Sequence, residues 1–184
     1  KPMTLNGDTP LVAIEGEFKY THGRGLRADP YHLKQVIDES RLLQGMSMYR
    51  TQSATLSGMS NQTRTRKLHA ANTQWNLFEM AGVQPILGRG FSPQDQDVGA
   101  ESFSVISYDI WQNYFAGDEN IIGTNAKVNG ELSRIIGVMP QGFALPGVAQ
   151  IWQPLSTTQL YPPQPSDTYR DALNAVGRLK AGVS

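Results

Sequence analysis

Apolar and polar positions alternate along much of the chain, and this pattern predicts more strands than helices. Alternation from Val12 onwards predicts a strand over Leu11–Tyr20. The stretch Gln44–Gly58, rich in Met, Tyr, Thr and Leu, predicts a strand pair or one long bent strand. Basic and small residues alternate over Thr63–Thr73, as on an exposed strand. Further strands are predicted over Phe103–Ile106, Ile151–Leu155 and Asp171–Lys180.

The strongest local signal is the dipeptide Asn129-Gly130, which lies between two strand-like runs. These runs are Thr124–Val128 and Glu131–Val138. Asn-Gly favours a type I′ turn, in which both central residues take a positive φ. The sequence therefore predicts a β-hairpin here, and we expect Gly130→Val to weaken it.

Two helices are predicted in the first half of the chain. One begins at Asp29-Pro30, where an N-cap residue precedes a proline at the first helical position, and ends near Ser40–Leu43. The other is a short helix over Gln74–Ala81, and Gly82 is its expected C-cap.

A third helix is predicted after Ser107, which is a suitable N-cap residue, and it ends before Gly117. Its apolar face consists of Ile110, Trp111, Tyr114 and Phe115. If Trp111 is a core aromatic residue, Trp111→Ala should cost about 3–5 kcal/mol of stability.

The order of these elements favours an α+β fold over a doubly wound α/β fold, because strands and helices do not alternate as a repeating unit. A chain of 184 residues is long enough for one ordinary domain or two small lobes. Its 16 basic and 16 acidic residues balance, which argues against nucleic-acid binding. The absence of cysteine excludes disulfides, thiolate metal sites and a cysteine nucleophile.

The two ends of the sequence suggest that it is a piece of a longer protein. The chain starts at Lys1 without an apolar leader and stops at Ser184 directly after a strand-like run. No run approaches the roughly 18 apolar residues that cross a bilayer. We therefore expect any membrane segments of the parent protein to lie outside this sequence.

Few residues have the spacing of a metal site. His22, His32 and His69 are scattered, with no pair at ligand spacing, so surface histidines are favoured over a metal site. Met46 and Met48 would share one face of a strand, where thioethers could bind a soft metal, but packing in a core is favoured.

For two groups of polar residues, a structural role is likewise favoured over a functional site. Ser107 and Asp109 fit a helix cap with an acidic first turn better than a catalytic pair. Asp95, Asp97 and Glu101 form an acidic loop that lacks the alternating oxygens and central glycine of a calcium loop.

Two features of the basic residues could indicate a binding site: a row of three residues and the isolated Arg89. Arg64, Arg66 and Lys67 form a row on the predicted exposed strand, without the interleaved aromatic residues that base stacking requires. Arg89 lies in Gly88-Arg-Gly90, where the glycines permit a positive φ and could present or bury the side chain. A structural arginine that bonds loop carbonyls is favoured, and an anion site is the alternative.

Short segments from Ala71 to Val183 follow one another in a characteristic order. They are Ala71-Asn72 with Leu77-Phe78, Gly82-Val-Gln-Pro85, Leu87-Gly-Arg-Gly-Phe91, Val105-Ile-Ser-Tyr108 with Trp111 and Phe115, Ile122-Gly123, Val128-Asn-Gly130, Ile136-Gly-Val-Met-Pro140 with Gly142-Phe143, Trp152 with Pro154-Leu155, and Val176-Gly-Arg-Leu-Lys180 with Gly182-Val183. In this order they resemble the MacB-like periplasmic core domain of bacterial ABC transporter permeases, in the FtsX-like permease group. The resemblance covers roughly residues 29 to 184.

This resemblance implies a domain outside the cytoplasmic membrane, between the first and second transmembrane helices of a permease. It also implies two lobes. One is a porter-like α/β sandwich built from both chain ends, expected at residues 1–82 and 168–184. The other is an inserted mixed α+β lobe, expected at residues 83–167. The first and last strands would then be neighbours.

The resemblance implies a non-catalytic role, and the family supplies no catalytic, cofactor-binding or metal-binding residues. The domain would relay the ATP-driven conformational change and contact a substrate or an adaptor protein in export. The implied partners are the membrane part of the same permease, a cytoplasmic ABC ATPase that acts indirectly, a periplasmic adaptor protein and a second permease copy in a dimer, but no nucleic acid. The location implied is the periplasmic side of a bacterial inner membrane.

The alternative function is that of a stand-alone envelope protein, either a small-ligand binder or an enzyme that uses the Arg89 loop. A deep pocket with convergent polar groups beside Arg89 would favour this alternative. A shallow groove between two lobes would favour the permease domain.

Overall fold

The computed structural model describes residues 11–14, 39, 41–59, 64–160 and 173–181, and strands dominate this part of the chain. The strands are β1 (Leu11–Ile14), β2 (Leu43–Ser57), β3 (Arg66–Thr73), β4 (Leu87–Gly88), β5 (Phe103–Ile106), β6 (Asn125–Val128), β7 (Glu131–Val138), β8 (Ile151–Pro154) and β9 (Asn174–Leu179). The α-helices are α1 (Leu77–Ala81), α2 (Tyr108–Tyr114) and α3 (Thr157–Leu160), with 3₁₀-helices at Pro93–Gln96 and Glu119–Ile121. None of the described helices combines the length and apolar character needed to span a membrane.

The strand β2 is one continuous strand of 15 residues, which decides between the two predicted alternatives. Its first half pairs with β9, and its second half pairs with β3 and, at its end, with β6. At about 3.3 Å per residue it is roughly 45 Å long. Because β9 also pairs with β1, the first and last described strands are neighbours, as the family resemblance implied.

Six of the strands close into a ring. Around it, β2 pairs with β3, β3 with β8, β8 with β5, β5 with β7, β7 with β6, and β6 again with β2. The β3–β8 and β5–β7 pairs are parallel and the other pairs are antiparallel, so the sheet is mixed. The predicted hairpin forms β6 and β7, and its turn residues Asn129 and Gly130 have φ of 53° and 85°.

The interior of the ring is an apolar core to which all six strands contribute. This cluster contains Ala54, Leu56, Leu68, Ala70, Ile106, Ala126, Val128, Ile135, Val138 and Ile151, and it is completed by Ile110 and Ile121. Ile110 is the fully buried residue of α2. Since the alternating positions of each strand point to opposite faces, the intervening residues form an outer surface that needs its own cover.

Part of that outer surface is covered by an aromatic core around Trp152. This side chain is fully buried, contacts the rings of Phe78 and Phe143, and its indole nitrogen donates to the carbonyl of Leu145 at 2.8 Å. Trp111, on the predicted apolar face of α2, is half-buried and packs against the core of the ring interior. Ile110, rather than Trp111, is the residue of α2 that is fully buried there.

Two further expectations are corrected. The strand β3 is half-buried rather than exposed, because it lies between β2 and β8 and buries Leu68, Ala70 and Ala71. The polar, proline-rich composition of residues 156–168 is typical of a linker, but α3 forms over Thr157–Leu160 and buries Leu160. The predicted helix at Asp29 lies outside the described residues, apart from residue 39, which is helical.

The mixed sheet and the few helices confirm the α+β class. β3, in the predicted porter-like lobe, pairs with β8, in the predicted inserted lobe, so the sheet continues across that boundary. The division into residues 1–82 with 168–184 and residues 83–167 stays a prediction.

Candidate functional site

Arg89, the main candidate from the sequence, is held by a carboxylate six residues along the chain. Its Nη1 lies 2.6 Å from Oδ2 of Asp95, and its Nη2 lies 3.1 Å from Oδ1. Nη1 also donates to the carbonyl of Gly90 at 2.9 Å, and the guanidinium lies 5.4 Å from the ring centroid of Phe103. A bidentate pair of this kind matches the planar guanidinium to the two carboxylate oxygens. The structural interpretation of Arg89 therefore fits its contacts better than an anion site.

Asp95 is the partner that sequence reasoning missed. Its side chain is 6% exposed, whereas that of Arg89 is 51% exposed. Burial by itself would raise the pKa of Asp95, but hydrogen bonds from Arg89 and from the backbone N–H of Ser92 together lower it below its usual range. The run Ser92-Pro-Gln-Asp95 has the spacing of a capping box, a signal that could have revealed this role.

The two glycines beside Arg89 differ in backbone conformation, but both lie close to neighbouring residues. Gly88 has a φ of 68°, and a Cβ there would lie 2.0 Å from the carbonyl oxygen of Ile136. Gly90 does not have a positive φ, so the expectation is wrong for this residue; a Cβ at Gly90 would lie 3.1 Å from the ring of Phe78. Both glycines therefore permit close packing of the Arg89 loop on its neighbours.

A polar cleft of about 280 Å³ lies beside Asp95. Its carboxylates are Asp95, Asp97, Glu101 and Glu131, and its amides include Asn72 and Gln153. Asp95 is neutralised by Arg89, and Glu101 forms an ion pair with Arg134 at 2.7 Å. Among the described residues, no three His, Cys, Asp or Glu side chains converge as a metal site would require.

The cleft adjoins the polar end of the ring. Gln52 donates to Asn72 at 2.8 Å, and the hydroxyls of Ser104 and Ser133 are 2.6 Å apart. Gln153 lies between the two groups, since it is opposite Asn72 in the β3–β8 pairing and its Nε2 lies 3.5 Å from the Ser133 hydroxyl. Each of these residues lies two positions from an apolar interior residue of its own strand and so continues the interior face at one end of the ring, but the sequence could not show that the strands meet.

A second open cleft, of about 410 Å³, brings together His69, Ser107 and Asp109. Ser107 caps α2 as predicted, because its hydroxyl accepts from the backbone N–H of Ile110 at 3.3 Å. Among the described contacts, Ser107 has no hydrogen bond to His69 that would activate it as a nucleophile. The cap interpretation of Ser107 is confirmed, and the three residues do not form a catalytic arrangement.

The remaining candidate residues are two methionines, a row of basic residues and two histidines. Met46 and Met48 are 6% and 1% exposed and pack with Leu155 and Leu160, which confirms the core interpretation over a soft-metal site. The basic row Arg64, Arg66 and Lys67 is exposed. His22 and His32 lie outside the described residues.

Comparison with known proteins gives a family and a shared fold. A family model described as the MacB-like periplasmic core domain matches residues 12–184. The periplasmic region of MacB from Actinobacillus actinomycetemcomitans is 15% identical, aligns over 98% of this chain and 78% of that chain, and has a TM-score of 0.68. The extracellular domain of the noncanonic ABC-type transporter YknZ from Gram-positive bacteria is 12% identical, aligns over 94% and 83%, and has a TM-score of 0.64. No curated protein gives a significant match.

Proposed function

The chain belongs to the family of MacB-like periplasmic core domains, and on this premise we propose that it relays movement in an ABC transporter permease. As a domain of such a permease it lies on the periplasmic side of the inner membrane, and the membrane part and the ATPase are its partners. In the proposed role it carries the ATP-driven movement of the membrane part to a substrate or an adaptor protein. It performs no bond chemistry itself.

The observation that carries this proposal is the course of β2. At one end Leu43 lies opposite Leu179, beside the strands that lead to both chain ends. At the other end Ser57 lies opposite Lys127 in the ring. Hinges are formed by a few loop or element-terminal residues, and the one irregularity in the pairing of β2 with β9, a register shift between Leu43 and Gly45, lies at the start of the strand. A displacement at the chain ends would therefore be passed to the ring about 45 Å away.

The contacts of Arg89 and Ser107 support a non-catalytic role. A nucleophile needs an adjacent base, and an anion-binding arginine needs an uncompensated charge. Ser107 instead accepts a helix-cap hydrogen bond, and Arg89 is paired with Asp95. The alternative, a stand-alone envelope protein that uses the Arg89 loop, has less support from these contacts.

The relay can be tested in the full-length permease together with its ATPase. Because the domain has no cysteine, Leu42→Cys and Val148→Cys introduce labelling sites at two exposed positions, one near the chain ends and one near the ring. The distance between the two spin labels is measured with and without ATP, and so is the distance from Val148→Cys to a label in the membrane part. We expect the first distance to change by less than about 2 Å and the second by more than about 5 Å.

Two results would contradict the proposal. Either the label at Val148 stays still when ATP binds, or the distance within the domain changes as much as the distance to the membrane part. Arg89→Gln in the same permease tests the alternative function. Loss of transport by this variant, with an unchanged melting temperature, would favour the Arg89 loop as a functional site.

A further inference from the structure

The charges of this chain are separated along the sequence although they balance overall. From Ser40 to Phe78 there are five cations and no carboxylate, namely Arg41, Arg50, Arg64, Arg66 and Lys67. From Gly90 to Ala126 there are six carboxylates and no cation, namely Asp95, Asp97, Glu101, Asp109, Asp118 and Glu119. The first segment contains β2 and β3, so these two strands bring cations but no carboxylates to the sheet.

Strand pairing places two lysines on one outer surface of the ring. Lys67 of β3 lies opposite Thr55 of β2, and Lys127 of β6 lies opposite Ser57 of β2. Thr55 and Ser57 are two residues apart and share a face. Leu56, between them, is buried in the ring interior, so the lysines are on the outside.

The same outer surface carries small hydroxyl side chains and a histidine. Ser53 and Thr55 are exposed, and Ser53 lies opposite the exposed His69. We call the surface formed by Ser53, Thr55, Lys67, His69 and Lys127 the basic face. Within the described part of the chain, neither Lys67 nor Lys127 forms an ion pair or a side-chain hydrogen bond.

Hydrogen bonds on either side hold the basic face in one shape. The hydroxyl of Tyr114 donates to the carbonyl of Arg64 at 2.8 Å and accepts from the backbone N–H of Gly58 at 3.1 Å, which ties the ends of β2 and β3 to α2. The side-chain oxygen of Asn129 accepts from the backbone N–H of Thr55 at 2.8 Å, which ties β2 to the β6–β7 hairpin. A surface that is already ordered loses little conformational entropy when a partner binds.

The position of the basic face limits what can bind it. The face lies along the far half of β2, whereas Leu43, at the other end of that strand, lies beside the strands that lead to the chain ends. If the chain ends lead to the membrane, as the proposed function requires, the face is tens of ångströms from its lipid headgroups. It would instead face the periplasm.

We propose that the basic face docks an acidic segment of a periplasmic partner protein. Lys67 and Lys127 lie on strands separated by β2, so their attachment points are roughly 10 Å apart. Carboxylates on one extended segment can reach both ammonium groups, and the Thr55 hydroxyl, which donates to Oδ1 of Asn129 at 3.4 Å, can accept a hydrogen bond from the backbone of that segment. Such charge complementarity gives orientation and a fast on-rate. The inference rests on the proposed function for its orientation in the periplasm.

The test uses the isolated 184-residue chain and a fluorescent peptide of ten glutamates, with a ten-lysine peptide for comparison, and measures fluorescence anisotropy at two salt concentrations. We expect the acidic peptide to bind and its affinity to fall as salt rises. Lys67→Glu with Lys127→Glu should lower the affinity by about tenfold or more. Lys67→Gln with Lys127→Gln is a milder pair that should weaken binding less.

The control is Arg41→Glu with Lys180→Glu, which changes the net charge equally at exposed positions outside the basic face. Equal loss in both double variants would overturn the proposal, because the effect would then be one of net charge. Lysine-dependent binding to phosphatidylglycerol vesicles as tight as to the peptide, or lysine-dependent self-association of the chain, would also overturn it. A failed peptide test leaves the ATP-driven distance changes unaffected, so the two proposals fail separately.

Discussion

Asn129 forms three hydrogen bonds with Thr55 across the strand pair that closes the ring, the longest from the Thr55 hydroxyl to Oδ1 of Asn129 at 3.4 Å. The backbone N–H of Asn129 donates to the carbonyl of Thr55 at 2.8 Å, and its side-chain oxygen accepts from the backbone N–H of Thr55 at 2.8 Å. Asn129 also takes a φ of 53° in the turn between β6 and β7. One residue therefore reverses the chain and joins the hairpin to β2.

These two roles can be separated by substitution. Asn129→Gly keeps the favourable turn but removes the side-chain hydrogen bond, and we expect a loss of about 1 kcal/mol in the free energy of unfolding. Asn129→Ala also places an ordinary residue at positive φ, which should cost about 1–2 kcal/mol more. Chemical denaturation measures both losses. Equal stability of the two variants would contradict the assigned turn conformation.

Gly88 has a positive φ and is also closely packed. Replacing it should therefore lower the stability of the domain unusually strongly. In Gly88→Ala the new Cβ would lie 2.0 Å from the carbonyl oxygen of Ile136, so β4 must separate from β7. We expect a loss of at least about 3 kcal/mol. Gly99→Ala is the matched control, because Gly99 has a φ of 83° but no atom within 4 Å of the added Cβ. That control should lose only about 1–2 kcal/mol in the same denaturation experiment.

Two of the three tryptophans, Trp152 and Trp111, contribute to the core to different degrees. Trp152→Ala should cost about 3–5 kcal/mol, because it empties a fully buried site between Phe78 and Phe143. Trp111→Ala should cost clearly less, since its side chain is half-buried and its indole nitrogen bonds the carbonyl of Asp118 near the surface. Equal losses in thermal and chemical unfolding would contradict this assignment of the core.

The pair formed by Arg89 and Asp95 predicts a dependence of stability on pH. The folded pKa of Asp95 is lowered relative to the unfolded value of about 3.9, so its contribution is present at neutral pH and is lost as the pH falls below about 4. Asp95→Asn should cost about 1–3 kcal/mol at pH 7, and the difference from the natural sequence should shrink in acid. Asp97→Asn, at an exposed neighbour, is the control and should change little. A constant difference at all pH values would contradict the assignment.

Two buried hydroxyls should respond in opposite ways to removal. The Thr73 hydroxyl is buried and has no hydrogen-bond partner among the residues that the structure describes, so Thr73→Val should leave stability unchanged or raise it by about 1 kcal/mol. The Ser104 hydroxyl is bonded to that of Ser133 at 2.6 Å, so Ser104→Ala should lower stability by about 1–2 kcal/mol. Melting temperatures of the two variants measure the contrast, and a clear loss in Thr73→Val would reveal a partner for its hydroxyl.

Local features were predictable from the sequence because neighbouring residues decide them. Ser107 caps α2, Gly82 ends α1 in a left-handed conformation, and Asn129-Gly130 forms the turn of a hairpin. Each of these depends on backbone geometry within a few residues. The α+β class followed from the order of such elements, and the family resemblance rested on motifs spread along the same stretch.

The arrangement of the site could not be predicted in this way. The sequence favoured a structural role for Arg89 and left an anion site as the alternative, but it did not indicate that Asp95, six residues away, neutralises the guanidinium. Lys67 and Lys127 are 60 positions apart in the sequence, and only their pairing with opposite ends of the Thr55–Ser57 segment brings them to one face.

By itself, the sequence determined the local turns and caps, the fold class and the family of this domain. Only the tertiary structure decided that six strands close into a ring, that Trp152 rather than Trp111 fills a core, and which cations share a surface. The physical reason is that hydrogen bonds between distant strands and the packing of their two faces depend on register, which local patterns leave open.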